Sequence, residues 1–296
     1  MSESHPLRAA FWMAGAISSF SLMAVAGRAV SLEHDTFEIL MYRSIVSFGI
    51  VLVIGGATGA LSQVNTRNMK WHLARNLCHF TGQNLWFFAL ALIPLAHLMA
   101  LEFTSPIWVA LLAPLILGEK LTATRALAAL VGFAGVLIVV RPEVGSLSPP
   151  MIAAAAAAIG FAGSALFTRR LTRTESITCI MFWLTLMQAV MGAICAGIDG
   201  HIAVPSATAM PWLALIGATG LAAHFCLSSA LALAPAAMVM PMDFLRLPVM
   251  AAIGMAFYSE PVDAWVLVGA AIIFGANWLN LRGRTAGNRP VTAAGR

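Results

Sequence analysis

The stretch Ala89-Leu90-Ala91-Leu92-Ile93-Pro94 returns later in the chain as Ala230-Leu231-Ala232-Leu233-Ala234-Pro235. The spacing is 141 residues (230 − 89 = 141), and it holds without gaps on both sides of the motif. Phe20 falls on Phe161, Arg28 on Arg169, Met69 on Met210 and Trp71 on Trp212. Further along, Met99 meets Met240, Glu102 meets Asp243, Phe103 meets Phe244, Glu119 meets Glu260 and Arg141 meets Arg282. Alanine and leucine coincide cheaply in an apolar chain; tryptophan, arginine and glutamate at one constant offset do not. The chain is an internal duplication, and this decides how the rest is read.

Composition places the repeated unit in a membrane. Of 296 residues, 60% are hydrophobic and 10% charged, against about 45–50% and about 25% in soluble domains. A soluble enzyme is excluded, as is disorder, which needs low hydrophobicity and high charge. A bilayer core takes about 20 apolar residues per helix. About ten segments qualify on that count: Phe11–Val30, Phe37–Gly56, Trp71–Leu92, Leu95–Leu117 and Thr124–Val140, then Met151–Thr168, Ile177–Ile198, Trp212–Leu233, Ala237–Tyr258 and Ala264–Leu281. Runs such as Ala153–Ala158 do not alternate in polarity, which excludes a barrel strand pattern. The expected fold is an all-α membrane protein. Its units are residues 10–141, residues 151–282 and a cytoplasmic tail, 283–296. Arg8 and Ala24-Val25-Ala26 imitate a signal peptide with its cleavage site, but the repeat requires this segment as its first helix.

Each half holds an odd number of crossings, so the second enters the bilayer upside down. With the N-terminus inside, the inner positions carry Arg8, Arg67, Lys70, Arg75, Lys120, Arg125, Arg169, Arg170, Arg173, Arg282, Arg284, Arg289 and Arg296. The outer edges carry only Arg28 and Arg141. This bias puts both termini in the cytoplasm. Gly118-Glu119-Lys120 keeps its lysine inside, whereas its copy, Ser259-Glu260-Pro261, has lost it outside. The net charge of +5 is scattered between apolar runs, which excludes a nucleic-acid face. Neither Lys70 nor Lys120 follows a glycine, so no Walker loop exists and ATP hydrolysis by this chain is excluded. Cys78, Cys179, Cys195 and Cys226 are dispersed, and no Cys-x-x-Cys or His-x-x-x-His pair is present.

Inverted repeats are a signature of secondary transporters, whose halves exchange conformations around one midplane site. An arginine early in the second segment (Met41-Tyr42-Arg43-Ser44), the run Pro114-Leu115-Ile116-Leu117-Gly118-Glu119-Lys120-Leu121-Thr122 and the glycine-rich Val131-Gly132-Phe133-Ala134-Gly135-Val136 complete a pattern. It resembles the drug/metabolite transporter superfamily and, within it, the EamA-type members. Ser19–Arg28 and His34–Arg43 are similar to the riboflavin-uptake branch. The resemblance implies transport of a small metabolite without a cofactor, through a central cavity, in a bacterial inner membrane. The implied partners are a small-molecule substrate, a coupled proton and the lipid bilayer, with a homodimer allowed and nucleic acid not. Uptake of riboflavin or another flat heterocycle is the leading expectation. Export of amino acids or amino-acid-derived metallophores is the rival within the class.

Charges inside a bilayer face a cavity or a partner. Glu102 and Asp243, repeat equivalents each followed by phenylalanine, read as a proton-titrating or ammonium-binding pair, or as neutralisers of nearby bases. Asp243 and Arg246 share a helix face, three residues apart. Arg43 and Arg246 are the available cations, each able to balance a carboxylate or to hold an anionic substrate group. His79, Gln83 and Trp86 form a polar-aromatic stripe suited to a flat ring, or to packing, and His224 is the copy of Gln83. Pro106, Pro114, Pro241 and Pro248 are expected hinges. Glu119 and Glu260 read as links between helices. No metal-ligand set is expected. Gly160-Phe161-Ala162-Gly163-Ser164 lacks the Gly-x-Ser-x-Gly pattern, so an intramembrane enzyme is disfavoured; a scaffold or receptor has no need of two inverted halves.

Overall fold

The computed structural model describes residues 6–118, 123–141, 148–171, 174–198, 200–233, 240–261 and 264–286. Apolar runs in lipid must satisfy their backbone groups internally, and among the described residues these runs form eleven α-helices and two 3-10 turns. The first half holds α1 (Pro6–Val30), α2 (Thr36–Ala57), a 3-10 turn (Ala60–Gln63), α3 (Met69–Leu92), α4 (Leu95–Glu102), α5 (Ser105–Leu117) and α6 (Ala123–Val140). The second holds α7 (Pro149–Leu171), α8 (Ile177–Ala196), α9 (Ala209–Leu233), a 3-10 turn (Met240–Leu245), α10 (Arg246–Tyr258) and α11 (Ala264–Ala286). Of these, α1, α2, α7, α8 and α9 are each long and apolar enough to cross a bilayer alone. The tail beyond 286, Lys120 and Glu119 lie outside the described residues.

The fourth and ninth expected segments are not continuous helices. In the first half, α4 stops at Glu102, where the Thr104 hydroxyl caps the Leu101 carbonyl at 2.7 Å. The pieces Leu95–Val109 and Leu111–Leu117 then diverge by 47°. Pro114 has no N–H to return to the Ala110 carbonyl, which allows this bend. In the second half, the equivalent stretch is the 3-10 turn Met240–Leu245 followed by α10. Such breaks survive at membrane depth only where protein buries them.

Packing obeys the duplication. Helix α1 lies against α9, and its copy α7 lies against α3, the counterpart of α9. Like joins like in α2 with α8 and α6 with α11, while α2 also meets α9, α5 meets α7 and α4 meets α10. The α1–α9 and α3–α7 contacts exchange with each other, and α2–α8 and α6–α11 map onto themselves, as a two-fold axis in the membrane plane requires. Small residues permit the close crossings. A Cβ at Gly160 would sit 2.8 Å from the Cys78 carbonyl oxygen and 2.9 Å from the Gly82 Cα, so α3 and α7 touch backbone to backbone. Between α6 and α11, Gly135 and Gly269 meet in the same way.

Each end is clasped by the same device. At the end where α1 begins (the near end), Asn65 and Asn68 donate to Glu175 at 2.7 and 2.5 Å, and Trp183 donates to the Asn65 carbonyl at 2.8 Å. At the far end, the Ala203 N–H donates to Glu38 at 2.6 Å, and the Tyr42 hydroxyl to the Ala203 carbonyl at 2.9 Å. Tyr42 and Trp183 are repeat equivalents (42 + 141 = 183). The halves are inverted: α5 ends beside Arg170 at the near end, where Arg170 donates to the Ile116 carbonyl, whereas α10 ends beside Arg28 at the far end.

Gly160→Val forces branched carbon into backbone that cannot yield, at a cost of about 1–3 kcal/mol. Thermal unfolding of the purified protein in detergent should fall by several degrees. Gly49→Ala, with open space around its Cβ, should leave the midpoint unchanged.

Candidate functional site

The two helix breaks carry the two intramembrane carboxylates. Glu102 is the last residue of α4, and Asp243 lies in the 3-10 turn before α10. Both reach one cation: Arg246 donates to Glu102 at 2.7 Å and to Asp243 at 3.1 Å. The second Glu102 oxygen accepts from the Trp86 indole at 2.7 Å. The Arg246 guanidinium carbon also lies 4.9 Å from the Phe20 ring centre and 5.3 Å from that of Phe103. Glu102, Asp243, Arg246 and Trp86 therefore form one node, in which two carboxylates share one guanidinium. Trp86 is turned away from the stripe expected for it, edge-on to Phe87 at 5.1 Å, and only 4% exposed.

The rest of that stripe meets the opposite half. The His79 and His224 rings lie 5.8 Å apart, from α3 and α9. Phe20 packs against His224 at 5.5 Å, and Phe161 against His79 at 6.0 Å. Since Phe20 and Phe161 are repeat equivalents (20 + 141 = 161), the file Phe20–His224–His79–Phe161 crosses the seam nearly symmetrically. Ser164 lies 3.4 Å from the His79 Nδ1. Gln83 is buried and its Oε1 has no partner. The two phenylalanines were visible in the sequence as a constant-offset match, but nothing in the match marked them as lining a site.

Next to His224, a narrow cavity opens between α2, α8 and α9. Arg43, Ser44, Ser47, Thr185, Gln188 and His224 line it, with Leu184, Gly220 and Leu221. Ser47 donates to the Arg43 and Gly217 carbonyls at 2.8 and 2.9 Å, which ties α2 to α9. Arg75, expected as a charge at the inner edge, is instead 3% exposed, because it lies six residues inside α3. Its Nε donates to the Thr168 hydroxyl and its Nη1 to the Asn76 amide oxygen, both at 3.2 Å. The structure brings His79, His224 and the Arg43 cavity together, with Arg75 linked to that cavity through Asn76 and Gln188, and gathers Glu102, Asp243, Arg246 and Trp86 in a node that Phe20 joins to His224.

The fold also assembles His72, Glu175 and Cys179, with one ligand atom of each within 4.8 Å of the others. Linear spacing hides this set, which departs from the expectation of none. However, both Glu175 oxygens already accept asparagine amides. Its far-end counterpart, His34 with Glu38 at 2.9 Å, is a plain hydrogen-bonded pair, so the cluster is part of the near-end clasp. Glu260 is a link, as expected: Arg28 pairs with it, the Leu95 N–H donates to it at 2.7 Å, and Arg28 also holds the Leu90 and Ile93 carbonyls at 2.7 and 2.5 Å.

Comparison with known proteins adds the family. The profile of the EamA-like transporter family matches residues 7–141 and again 148–282. A riboflavin transporter of Vibrio cholerae is 27% identical over 275 residues, 91% of each chain. An S-adenosylmethionine uptake transporter of Rickettsia bellii is 25% identical over 269 residues, 90% of each chain. A pseudopaline exporter of Pseudomonas aeruginosa is 26% identical over 259 residues, 86% of this chain and 89% of its own. One crystal structure superposes with a TM-score of 0.66 at 18% identity, over 95% of this chain and 99% of that one, which shows the fold alone.

A double-mutant cycle on Glu102 and Arg246 checks the node. Arg246→Gln strands two buried carboxylates, at about 3–5 kcal/mol, whereas Glu102→Gln leaves Arg246 paired with Asp243 and costs less. The two together should cost less than their sum by about 0.5–3 kcal/mol, read from unfolding midpoints in detergent. Strict additivity would mean that the contact is not formed.

Proposed function

Because the chain belongs to the EamA-like transporter family, we propose that it is a secondary-active carrier importing a flat heterocyclic metabolite by alternating access, with riboflavin the first cargo to test. One observation carries the reading: the file Phe20–His224–His79–Phe161 spans the seam between two inverted halves. Aromatic faces there stack on a planar ring, while imidazole and amide groups satisfy its edge. A site at the seam of an inverted pair is presented to either side when the halves exchange shapes. The relatives named as a riboflavin transporter and as an S-adenosylmethionine uptake transporter support a ring-bearing cargo, and the second supports import.

In this reading, Arg28–Glu260 holds the far end shut, since it joins α1 to α10 and to the turn between α3 and α4. Opening that end requires its release. The Glu102–Arg246–Asp243 node sits at the two helix breaks, where a proton or substrate could shift the balance of charge. We assign it to coupling rather than to direct contact with the ring. The protein is not an enzyme in this account, and it resides in a bacterial inner membrane with both termini in the cytoplasm.

In a riboflavin auxotroph, expression should rescue growth on low riboflavin and accumulate radiolabel. Glu102→Gln should abolish uptake while leaving the amount of protein in the membrane unchanged. No rescue by well-expressed wild-type protein would exclude riboflavin as cargo; full uptake by the variant would remove Glu102 from coupling. Alkaline phosphatase fused within 142–147 should be active, and the same reporter at the C-terminus inactive.

A further inference from the structure

The electrostatics of the seam narrow the cargo, taking the carrier reading as given. We infer that the cavity at Arg43 is an anion subsite, which receives a carboxylate or phosphate carried by the heterocyclic substrate. The argument begins with the distribution of charge. Glu102 and Asp243 are both held by Arg246, and neither makes an ion pair with Arg43 or Arg75 among the described residues. Arg43 is 5% exposed and makes no hydrogen bond or ion pair among the described residues. Its Nε and Nη1 are wholly buried without an acceptor. No acidic side chain lines its cavity, where the polar neighbours are serines, Thr185, Gln188 and His224.

Arg75 adds a second positive charge. It enters from the near end on α3, whereas Arg43 enters from the far end on α2. The acceptors of Arg75, Thr168 and Asn76, are neutral. Asn76, an acceptor of Arg75, also accepts from Gln188 through its carbonyl at 3.0 Å, and Gln188 lines the Arg43 cavity, so the two guanidiniums approach the same part of the seam. Two buried cations without a counter-charge are costly in a bilayer. A substrate that brings the missing negative charge removes that cost on binding, and a neutral one does not.

Geometry favours an anion that offers two oxygens to one cation. The Arg43 fork matches a carboxylate or phosphate through paired N–H groups, two of which are now unused. Gly220 faces both Met23 and Arg43: an added Cβ would stand 3.3 Å from the Met23 Sδ and 3.9 Å from the Arg43 Nη2, and the cavity there, about 10 Å³, has room for about one water until the halves move apart. His224 joins this cavity to the aromatic file. A ring stacked along that file would direct an acidic substituent towards Arg43. The assigned class is therefore a heteroaromatic anion, and free riboflavin, which is neutral, is a poorer fit than its phosphate.

The test uses pairs of compounds that share a ring and differ in bearing an anionic group: riboflavin 5′-phosphate against riboflavin, and nicotinate against nicotinamide. Equilibrium dialysis of the purified full chain should show the anionic member of each pair bound at least tenfold more tightly. Arg43→Gln should bring that ratio close to one, and Arg43→Lys should keep part of it, each variant first shown to elute as a monodisperse species. Equal binding within the pairs, preference for the neutral members, no binding of any of the four, or an intact ratio in Arg43→Gln would each overturn the anion subsite. Uptake of labelled riboflavin and its phosphate into proteoliposomes separates this outcome from failure of the carrier reading. Equal uptake of both leaves the carrier standing and removes the subsite; an Arg43-dependent binding ratio without uptake of either removes the proposed cargo and keeps the subsite.

Discussion

Arg246, shared between Glu102 and Asp243, is the contact on which the middle of the membrane depends. Each carboxylate lies where a helix has lost its regular backbone, and each would be prohibitively exposed to lipid alone. Joined through one guanidinium, they close the two broken segments onto each other and hold α4 against α10. Trp86 fixes the remaining Glu102 oxygen and so ties α3 to the same point. A break in a transmembrane helix is normally a defect. Here the defects come as a matched pair, and each supplies what the other lacks.

Around this node the protein is arranged inside out relative to a soluble domain. Large apolar side chains such as Val53, Phe133 and Phe257 face outward, while Arg43, Arg75, Asn76, His79, Gln83 and Gln188 are buried. The polar interior holds an ion-paired part, where two carboxylates share Arg246, and a positive part at Arg43 and Arg75. Such a partition is hard to explain as packing, because the nearby acids have already been engaged elsewhere. It is the natural arrangement for a chamber whose charge is completed by what it carries.

Much of this was legible in the residues. The constant 141-residue offset (230 − 89 = 141) exposed the duplication, and an odd number of segments per half exposed its inversion. The pairing of Arg246 with Asp243 followed from helical spacing, and the structure adds Glu102 from the other half, which no local rule could provide. The breaks at Glu102 and Asp243 were hidden because hydropathy measures how apolar a segment is, not whether its helix is continuous. Arg75 was counted as an edge charge for the same reason: charge tallies register position along the chain, not depth. Trp86 shares a face with His79 and Gln83, yet its indole N–H needed an acceptor and found Glu102. His72, Glu175 and Cys179 meet only because a loop of one half folds over a helix end of the other.

The exchange of partners between halves also bears on how the chain is made. Since α1 rests on α9 and α3 on α7, neither half can complete its own interior. When the first half has left the ribosome, the faces bearing Arg43 and Arg75 have no cover. Their shelter is synthesised later, in α7, α8 and α9. During that interval the nascent chain must keep arginines and amides away from hydrocarbon, at the insertion machinery or in a loosely wetted cluster. Quality control of this protein therefore concerns the time between the two halves as much as the final assembly.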